Sequence, residues 1–158
     1  KIAGRPFMLL TIPRAENDKF LRTTLQAIDF IAEYHNIPVY WPVHPRHGHI
    51  KLQKPLKHIV MIDPLSYLEM LWAVQDAVHV FTDSGGLSRE CFFSKTPFMI
   101  LRNMTEWFHT NKLNSCSFFD IFATYDKTRE LTGNRTDLFG DGNAAKKITD
   151  KIVEFLER

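Results

Sequence analysis

The stretch that decides the fold runs from Val78 to Glu90 and has the sequence VHVFTDSGGLSRE. It begins as a short apolar strand, continues through a sharp turn and ends in the first turns of a helix. The segment Val78–Phe81 is rich in β-branched and aromatic residues, which buried strands favour. Asp83 and Ser84 are residue types that cap helix N-termini, and two glycines follow them.

This turn has the features of an anion site. A helix N-terminus presents backbone N–H groups that bind phosphate, and Gly85 and Gly86 have no side chain to hold a ligand away from them. Glu90 follows Gly86 by four residues, so it lies on the same helix face one turn further along. The pattern predicts a phosphate at the helix tip with hydroxyl groups beside it. The alternative is that Ser84 only caps a helix.

Composition narrows the class of protein. A length of 158 residues fits one domain, and 44% hydrophobic residues suffice for a sizeable core. The formal net charge of +2, with Lys and Arg spread along the chain, indicates no nucleic-acid partner. There is no signal peptide and no apolar run long enough for a membrane span. Two cysteines without metal-type spacing favour a reduced, cytoplasmic chain, and the start at Lys1 suggests a piece of a longer protein.

Outward from this stretch, apolar runs typical of strands alternate with helical patterns. The predicted strands are Pro6–Ile12, Ile37–Val43, His58–Ile62, Val78–Phe81 and Pro97–Leu101. The predicted helices are Asp18–Tyr34, one with Pro64 at its first position, one after Gly86, one within Phe118–Leu131 where a strand is the alternative, and Asn143–Leu156.

Several apolar side chains are expected in the core. These are Trp41, Cys91, the stripe Tyr67, Leu68, Leu71, Trp72 and Val74, and the stripe Ala144, Ile148, Ile152, Val153 and Phe155. The alternation predicts an α/β fold, a three-layer Rossmann-like parallel sheet with helices on both faces. Ligands bind such sheets beyond the carboxyl ends of the strands. Arg14 follows the first strand, and its planar fork suits a phosphate.

A metal site is the other chemistry that this edge suggests. His44, His47 and His49 lie in a basic turn after the second strand. No Cys or carboxylate completes a ligand set, so we expect neither a metal nor a cofactor.

Six segments of the chain resemble one family, the C-terminal domain of the non-hydrolysing UDP-N-acetylglucosamine 2-epimerases. Thr82–Leu87 is similar to the family's TDSGGI/L segment, with Glu90 on the second glutamate of its QEE, and Thr11–Asn17 is similar to TxHRxEN. The other matching segments are Val43–Pro45 (HP), Ile62–Leu65 (I-D/E-P), Leu101–Glu106 (LRDTTE) and Gly140–Gly142 (GDG).

The resemblance implies the nucleotide-binding half of a glycosyltransferase-B-type fold, with UDP held by this half. It implies that Ser84, Gly85 and Gly86 bind the diphosphate and that Glu90 binds the ribose hydroxyls. Arg14 and His44 would line the phosphate and sugar side, and Met70 would lie where some members pack an aromatic ring on uracil.

The family's reaction eliminates UDP across C1 and C2 of the sugar and then adds it back with inversion at C2. The carboxylates that carry out the proton transfer come from an N-terminal domain, so we expect residues 1–158 alone to be inactive. The resemblance further implies a UDP-sugar ligand and a role in cell-surface polysaccharide biosynthesis. It leaves the oligomeric state open, a homodimer included.

The chain departs from the family pattern in four places. The family histidine is Pro13, which has no proton to exchange and puts catalysis in doubt. The first glutamate of QEE is Arg89, an arginine-proline pair is Trp107–Phe108, and the aromatic residue is Met70. Two alternatives therefore remain, a glycosyltransferase-B-type transferase and a catalytically silent UDP-sugar-binding module. On a purely structural interpretation Glu90 is a solvated helix residue, and Arg14 and His44 are surface loop residues.

Overall fold

The computed structural model describes residues 4–47, 56–102, 115–116, 121–128 and 140–157 of the chain. The strands are β1 (Met8–Thr11), β2 (Val39–Pro42), β3 (Ile59–Ile62), β4 (His79–Thr82), β5 (Phe98–Leu101) and β6 (Ser115–Cys116). The α-helices are α1 (Leu21–His35), α2 (Tyr67–Asp76), α3 (Gly85–Ser94), α4 (Ile121–Thr128) and α5 (Ala144–Leu156). Short 3-10 turns cover Ala15–Phe20 and Pro45–His47.

All these strands belong to one parallel sheet with the order β3-β2-β1-β4-β5-β6. The chain winds outward from β1 to β3, crosses back to β4, and winds outward the other way to β6. The order therefore reverses between β1 and β4, which pair directly from Met8↔His79 to Thr11↔Thr82. A crevice opens at such a reversal, beyond the carboxyl ends of the two strands, and there a doubly wound sheet binds its ligand.

The core lies on both faces of the sheet because successive strand side chains point to opposite sides. In and beside β1, Met8 and Leu10 face one side while Phe7 and Leu9 face the other. The first side packs against α1 and α4, and the second against α2 and α3. The predicted fold class is confirmed, as is the burial of Trp41 and Cys91.

The predicted strands agree with β1 to β5 to within a few residues, although β4 is shifted one residue towards Thr82. Within Phe118–Leu131 the described residues form helix α4, as preferred over a strand. Most of the Leu101–Glu106 segment, from Asn103 to Glu106, lies outside the described residues.

The start of α2 was predicted wrongly, and so was most of its inward face, of which Val74 is buried as expected. The helix begins at Tyr67 rather than at Pro64, because Ser66 forms a capping box with Glu69: the Ser66 amide donates to Glu69 Oε2 at 2.8 Å. Trp72 is 70% exposed instead of buried. The sheet side of α2 is a second stripe with i, i+3, i+4, i+7 spacing, which lets the helix approach closely because two of its members are alanines. Its members are Met70, Ala73, Val74 and Ala77.

The expected burial of the α5 stripe is also wrong for the residues that the structure describes. The helix forms at the predicted place, yet no residue of α5 is buried. Ile148, Ile152 and Phe155 are more than half exposed. An amphipathic pattern identifies a face that is suited to burial, but it does not specify what covers that face. None of the described helices is long and apolar enough to cross a membrane.

Candidate functional site

A cavity of about 370 Å³ opens at the carboxyl ends of β1 and β4. Its wall combines the ends of β1 and β2 and the loop after β3 with the start of α2 and the tip of α3. The lining residues are Thr11, Ile12, Pro13, Pro42, Val43, His44, Pro45, Pro64, Leu65, Tyr67, Met70, Leu71, Ser84, Gly86, Leu87 and Glu90. The wall is largely apolar, with a few polar groups at the α3 end, as small-molecule sites commonly are.

The structure brings most of the predicted ligand-binding residues to this cavity. His44, Met70, Ser84, Gly86 and Glu90 line it. Gly85 is the first residue of α3, between two of these lining residues, and Arg14 follows the lining residue Pro13.

The tip of α3 has the geometry of an anion site. Ser84 is the N-cap in extended conformation, and its Oγ accepts the Leu87 amide at 3.3 Å. The amides of Gly85 and Gly86 have no acceptor among the described residues, as expected at the start of a helix. A Cβ on Gly86 would have Ser84 Oγ, 3.8 Å away, as its nearest neighbour, so the space in front of this backbone is open.

Only one of the two predicted caps serves as a cap. Asp83 is fully buried and does not cap α3. Its Oδ2 accepts the side-chain amide of Asn17 at 2.6 Å and the backbone amide of Arg14 at 3.3 Å. Burial raises the pKa of Asp83, although the bonds from Asn17 and Arg14 and the charges of Arg14 and Arg102 oppose that rise.

A second hydrogen-bonded contact joins the same two segments, the one that follows β1 and the one that leads into α3. Thr11 Oγ1 and Thr82 Oγ1 lie 2.7 Å apart at the last positions of β1 and β4. The amide of Ser84 also donates to Thr82 Oγ1 at 3.0 Å. Side chains that include the lining residue Thr11 thus join the end of β1 to the α3 tip.

Glu90 and Tyr67 form the α3 and α2 sides of the cavity. The Tyr67 hydroxyl donates to Glu90 Oε1 at 3.2 Å. The negative charge of Glu90, followed by this hydrogen bond, raises the pKa of Tyr67 and so keeps the phenol in its donor form. Sequence reasoning placed Tyr67 in an apolar stripe and missed its contact with Glu90. Its position at the first turn of α2, directly after the β3 edge, was the available signal.

The basic turn after β2 is held by hydrogen bonds of its own. The Arg46 amide donates to His44 Nδ1 at 3.2 Å, so the neutral His44 ring has its proton on Nε2. Asp18 Oδ1 lies 2.9 Å from His47 Nε2 and 3.4 Å from Arg46 Nη2. Among the described residues, which do not include His49, no group of three or more His, Cys, Asp and Glu side chains could hold a metal ion.

The four departures from the family pattern have different positions. Pro13 and Met70 line the cavity. Arg89 lies next to Glu90 in α3 and is half-buried. Trp107 and Phe108 lie outside the described residues. Gly140 and Gly142, which flank the GDG aspartate, both have φ of +80°, a conformation that explains glycine at these positions.

Comparisons with known proteins show which family the chain is similar to. A sequence model of the family described as UDP-N-acetylglucosamine 2-epimerase matches residues 1–153. The UDP-2,3-diacetamido-2,3-dideoxy-D-glucuronate 2-epimerase of Pseudomonas aeruginosa is 41% identical, with coverage of 94% of this chain and 44% of that protein. A UDP-N-acetylglucosamine 2-epimerase homolog of Methanococcus maripaludis is 30% identical, with coverage of 96% and 45%.

A solved structure is similar as well. The Methanocaldococcus jannaschii UDP-GlcNAc 2-epimerase in complex with UDP-GlcNAc and UDP superposes with a TM-score of 0.79 at 26% identity. The match covers 94% of this chain and 45% of that one. The chain therefore spans less than half the length of these relatives.

Proposed function

Because the chain belongs to the UDP-N-acetylglucosamine 2-epimerase family, we propose that it is the UDP-binding half of an enzyme that interconverts UDP-GlcNAc and UDP-ManNAc. The observation that carries this proposal is the joint position of the α3 tip and Glu90 in one cavity where the strand order reverses. Phosphate suits the tip, and a carboxylate one turn away suits vicinal hydroxyls.

In this assignment the diphosphate lies on the amides of Gly85 and Gly86 beside Ser84. Arg14 approaches it from the β1 loop, and the ribose hydroxyls donate to Glu90. The uracil ring lies against the apolar α2 wall at Met70, a polarisable side chain that suits contact with a flat ring. His44 lies at the β2 end of the same cavity, where its Nε2–H can donate to the phosphate or sugar.

In this reaction the role of the UDP-binding half is to stabilise UDP as the leaving group. A base takes the proton from C2, the C2 electron pair forms the C1–C2 double bond, and the C1–O bond breaks with UDP as the leaving group. Negative charge then grows on the β-phosphate. The α3 dipole, the two glycine amides and Arg14 stabilise this charge more strongly in the transition state than in the substrate. Re-addition of UDP and return of a proton to the other face of C2 complete the epimerisation.

We further propose that the proton-transfer groups belong to a second domain, so that residues 1–158 alone are inactive. The chain spans about 45% of its relatives' length, and the apolar face of α5 is open among the described residues. Both observations support a two-domain enzyme whose cleft closes over the sugar and excludes water. Interconversion of UDP-GlcNAc and UDP-ManNAc by the purified 158-residue chain would contradict this proposal. The buried thiol of Cys91 fits the further proposal of a reducing, cytoplasmic compartment.

A second candidate differs in the sugar. The 41% identity to the Pseudomonas aeruginosa enzyme favours UDP-2,3-diacetamido-2,3-dideoxyglucuronate as the substrate. A direct comparison of the two nucleotide sugars with the full-length protein separates the candidates, because the sugar that is turned over with the higher kcat/KM is the substrate. Both candidates require UDP to bind at the α3 tip, and titration of the chain with UDP tests that shared requirement.

A further inference from the structure

Asp83 is a carboxylate that does not itself line the cavity, although it directly precedes the lining residue Ser84. It stands between β4 and the Ser84 cap and is completely buried. Asn17, whose side-chain amide donates to it at 2.6 Å, is also buried. Their contact spans 66 residues of sequence, so it is a tertiary contact rather than a local turn.

Burial of this carboxylate carries a cost that the surroundings only partly offset. One oxygen, Oδ2, accepts both the Asn17 and the Arg14 donor. The other, Oδ1, has no hydrogen-bond partner among the described residues. An apolar side chain here would avoid the desolvation of a charge. The carboxylate must therefore contribute something that an apolar residue cannot supply.

The two donors show what it contributes. Both lie in the segment after β1, and one of them is the backbone of Arg14 itself. The Arg14 guanidinium is about one-third exposed and has Glu16 Oε1 at 3.5 Å. A single side chain next to Ser84 thus fixes the backbone from which the phosphate-directed arginine extends.

We propose that Asp83 is a positioning residue that holds the Arg14 loop against the α3 tip, so that the guanidinium and the glycine amides form one site for a diphosphate. The inference rests on the proposed function, because it assigns Asp83 a role in building that anion site. Asn17 is the partner through which Asp83 acts. The Thr11–Thr82 contact holds the same two segments at the ends of the strands, three residues before Arg14 and one residue before Asp83.

Three variants test the role in the 158-residue chain. Asp83→Asn keeps the shape but removes the charged acceptor. Asn17→Leu removes the donor and keeps the charge. Asn17→Asp combined with Asp83→Asn exchanges the two groups and restores one carboxylate facing one side-chain amide. The matched control is Asp29→Asn, because Asp29 also accepts two backbone amides, those of Lys57 at 3.2 Å and His58 at 2.8 Å, at the amino end of the sheet.

The readouts are the Kd for UDP and for inorganic pyrophosphate by calorimetry. We expect each single variant at the Asp83–Asn17 pair to weaken binding by about 10-fold, the exchanged pair to regain most of that loss, and Asp29→Asn to have no effect on Kd. The direction of the change in Kd separates positioning from charge, because loss of a negative charge beside an anion site would by charge alone tighten binding. Tighter or unchanged binding in Asp83→Asn would overturn the proposal, and so would a loss of affinity that the exchanged pair does not recover.

A ligand-free measurement separates this inference from the proposed function. The Arg14 amide, which donates to Asp83, should exchange its hydrogen at least several-fold faster in Asp83→Asn than in wild type, and Asp29→Asn should leave it unchanged. Equal Arg14 exchange in wild type and Asp83→Asn overturns the positioning role even where UDP binds. Absence of UDP and pyrophosphate binding by wild type, with Arg14 exchange still dependent on Asp83, contradicts the proposed function instead.

Discussion

The hydroxyl of Tyr67 donates a hydrogen bond to Oε1 of Glu90 across 3.2 Å, and this contact joins α2 to α3 at the cavity. It fixes one carboxylate oxygen of the residue assigned to the ribose and leaves the other oxygen to accept a ligand hydroxyl. A residue that was expected to pack in an apolar stripe therefore orients a carboxylate of the proposed nucleotide site.

Glu90→Gln should lower the affinity for UDP by about 1–3 kcal/mol, because bonds from ribose hydroxyls to a carboxylate are charge-assisted. The penalty should shrink for 2′-deoxy-UDP, which lacks one of the hydroxyls. Calorimetric titration of both ligands measures it. Equal UDP affinity in wild type and Glu90→Gln would remove the ribose role.

Tyr67→Phe should weaken UDP binding less than Glu90→Gln does, because it loosens the carboxylate without removing it. The two substitutions should be non-additive in a double-mutant cycle, since the phenol acts through Glu90. Fully additive losses would show that Tyr67 contacts the ligand independently of Glu90.

Gly86→Val should abolish UDP binding and leave the fold intact. The position of a Cβ at Gly86 is open, with Ser84 Oγ at 3.8 Å, so a side chain fits the protein but occupies the space in front of the helix tip. Gly86→Ala should give an intermediate loss. Thermal unfolding serves as the control, and a Gly86→Val chain that is folded and still binds UDP would place the phosphate elsewhere.

The free energy of unfolding should fall at acidic pH because His79 is buried in its neutral form. Complete burial lowers the pKa of His79 from its ordinary value of 6.5 to about 3. Thr128 Oγ1 donates to the Tyr125 carbonyl, so His79 donates to Thr128 from Nε2 and is neutral in the folded state. Between these two pKa values the unfolded chain binds the extra proton. The contribution of His79 is therefore fully present above pH 6.5 and is lost as the pH falls towards 3.

Urea unfolding checks this expectation. From about pH 7 to about pH 5 the His79 contribution should cost about 2 kcal/mol of the free energy of unfolding. His79→Gln has no such titration but retains an N–H donor, so its stability should change less over the same interval. Identical pH profiles for wild type and His79→Gln would contradict the buried neutral histidine.

Pro13→His should raise the rate of C2–H exchange into heavy water in the full-length protein. Pro13 lines the cavity at the position of the family histidine and cannot donate, accept or transfer a proton. General acid–base groups typically contribute about 10²–10⁴-fold, so a gain within that range is expected if the site is otherwise complete. UDP affinity must stay the same in both proteins for the comparison to hold. An unchanged or lower rate in Pro13→His would show that this position does not limit the reaction.

The sheet and the place of the candidate site could be predicted because both depend on local pattern. Apolar runs such as Pro97–Leu101 identify strands, and their alternation with helices leaves few topologies. The sequence Asp83–Gly86 after a strand then predicts an anion site. The order of strands completes that prediction, since the β1–β4 reversal brings the Arg14 loop beside the α3 tip.

The features that could not be predicted depend on tertiary packing. Two apolar stripes overlap in α2, and sequence alone does not show that the one with Ala73 faces the sheet while Trp72 faces outward. In α5 the stripe was recognised correctly, but its burial depends on what covers it. Asp83 is an ordinary cap residue by type, and only the fold shows that Asn17, 66 residues away, is its partner.

The most direct test of the account is an amide-resolved NMR titration of the 158-residue chain with UDP. If UDP binds at the α3 tip, saturable chemical-shift changes should be centred on the amides of Gly85 and Gly86 and extend to Arg14 and Glu90 at up to millimolar ligand. Gly86→Val should remove them. The absence of any change at Gly85 and Gly86 at millimolar UDP, or changes confined to a distant surface such as α5, would contradict the assignment of this cavity as the nucleotide site.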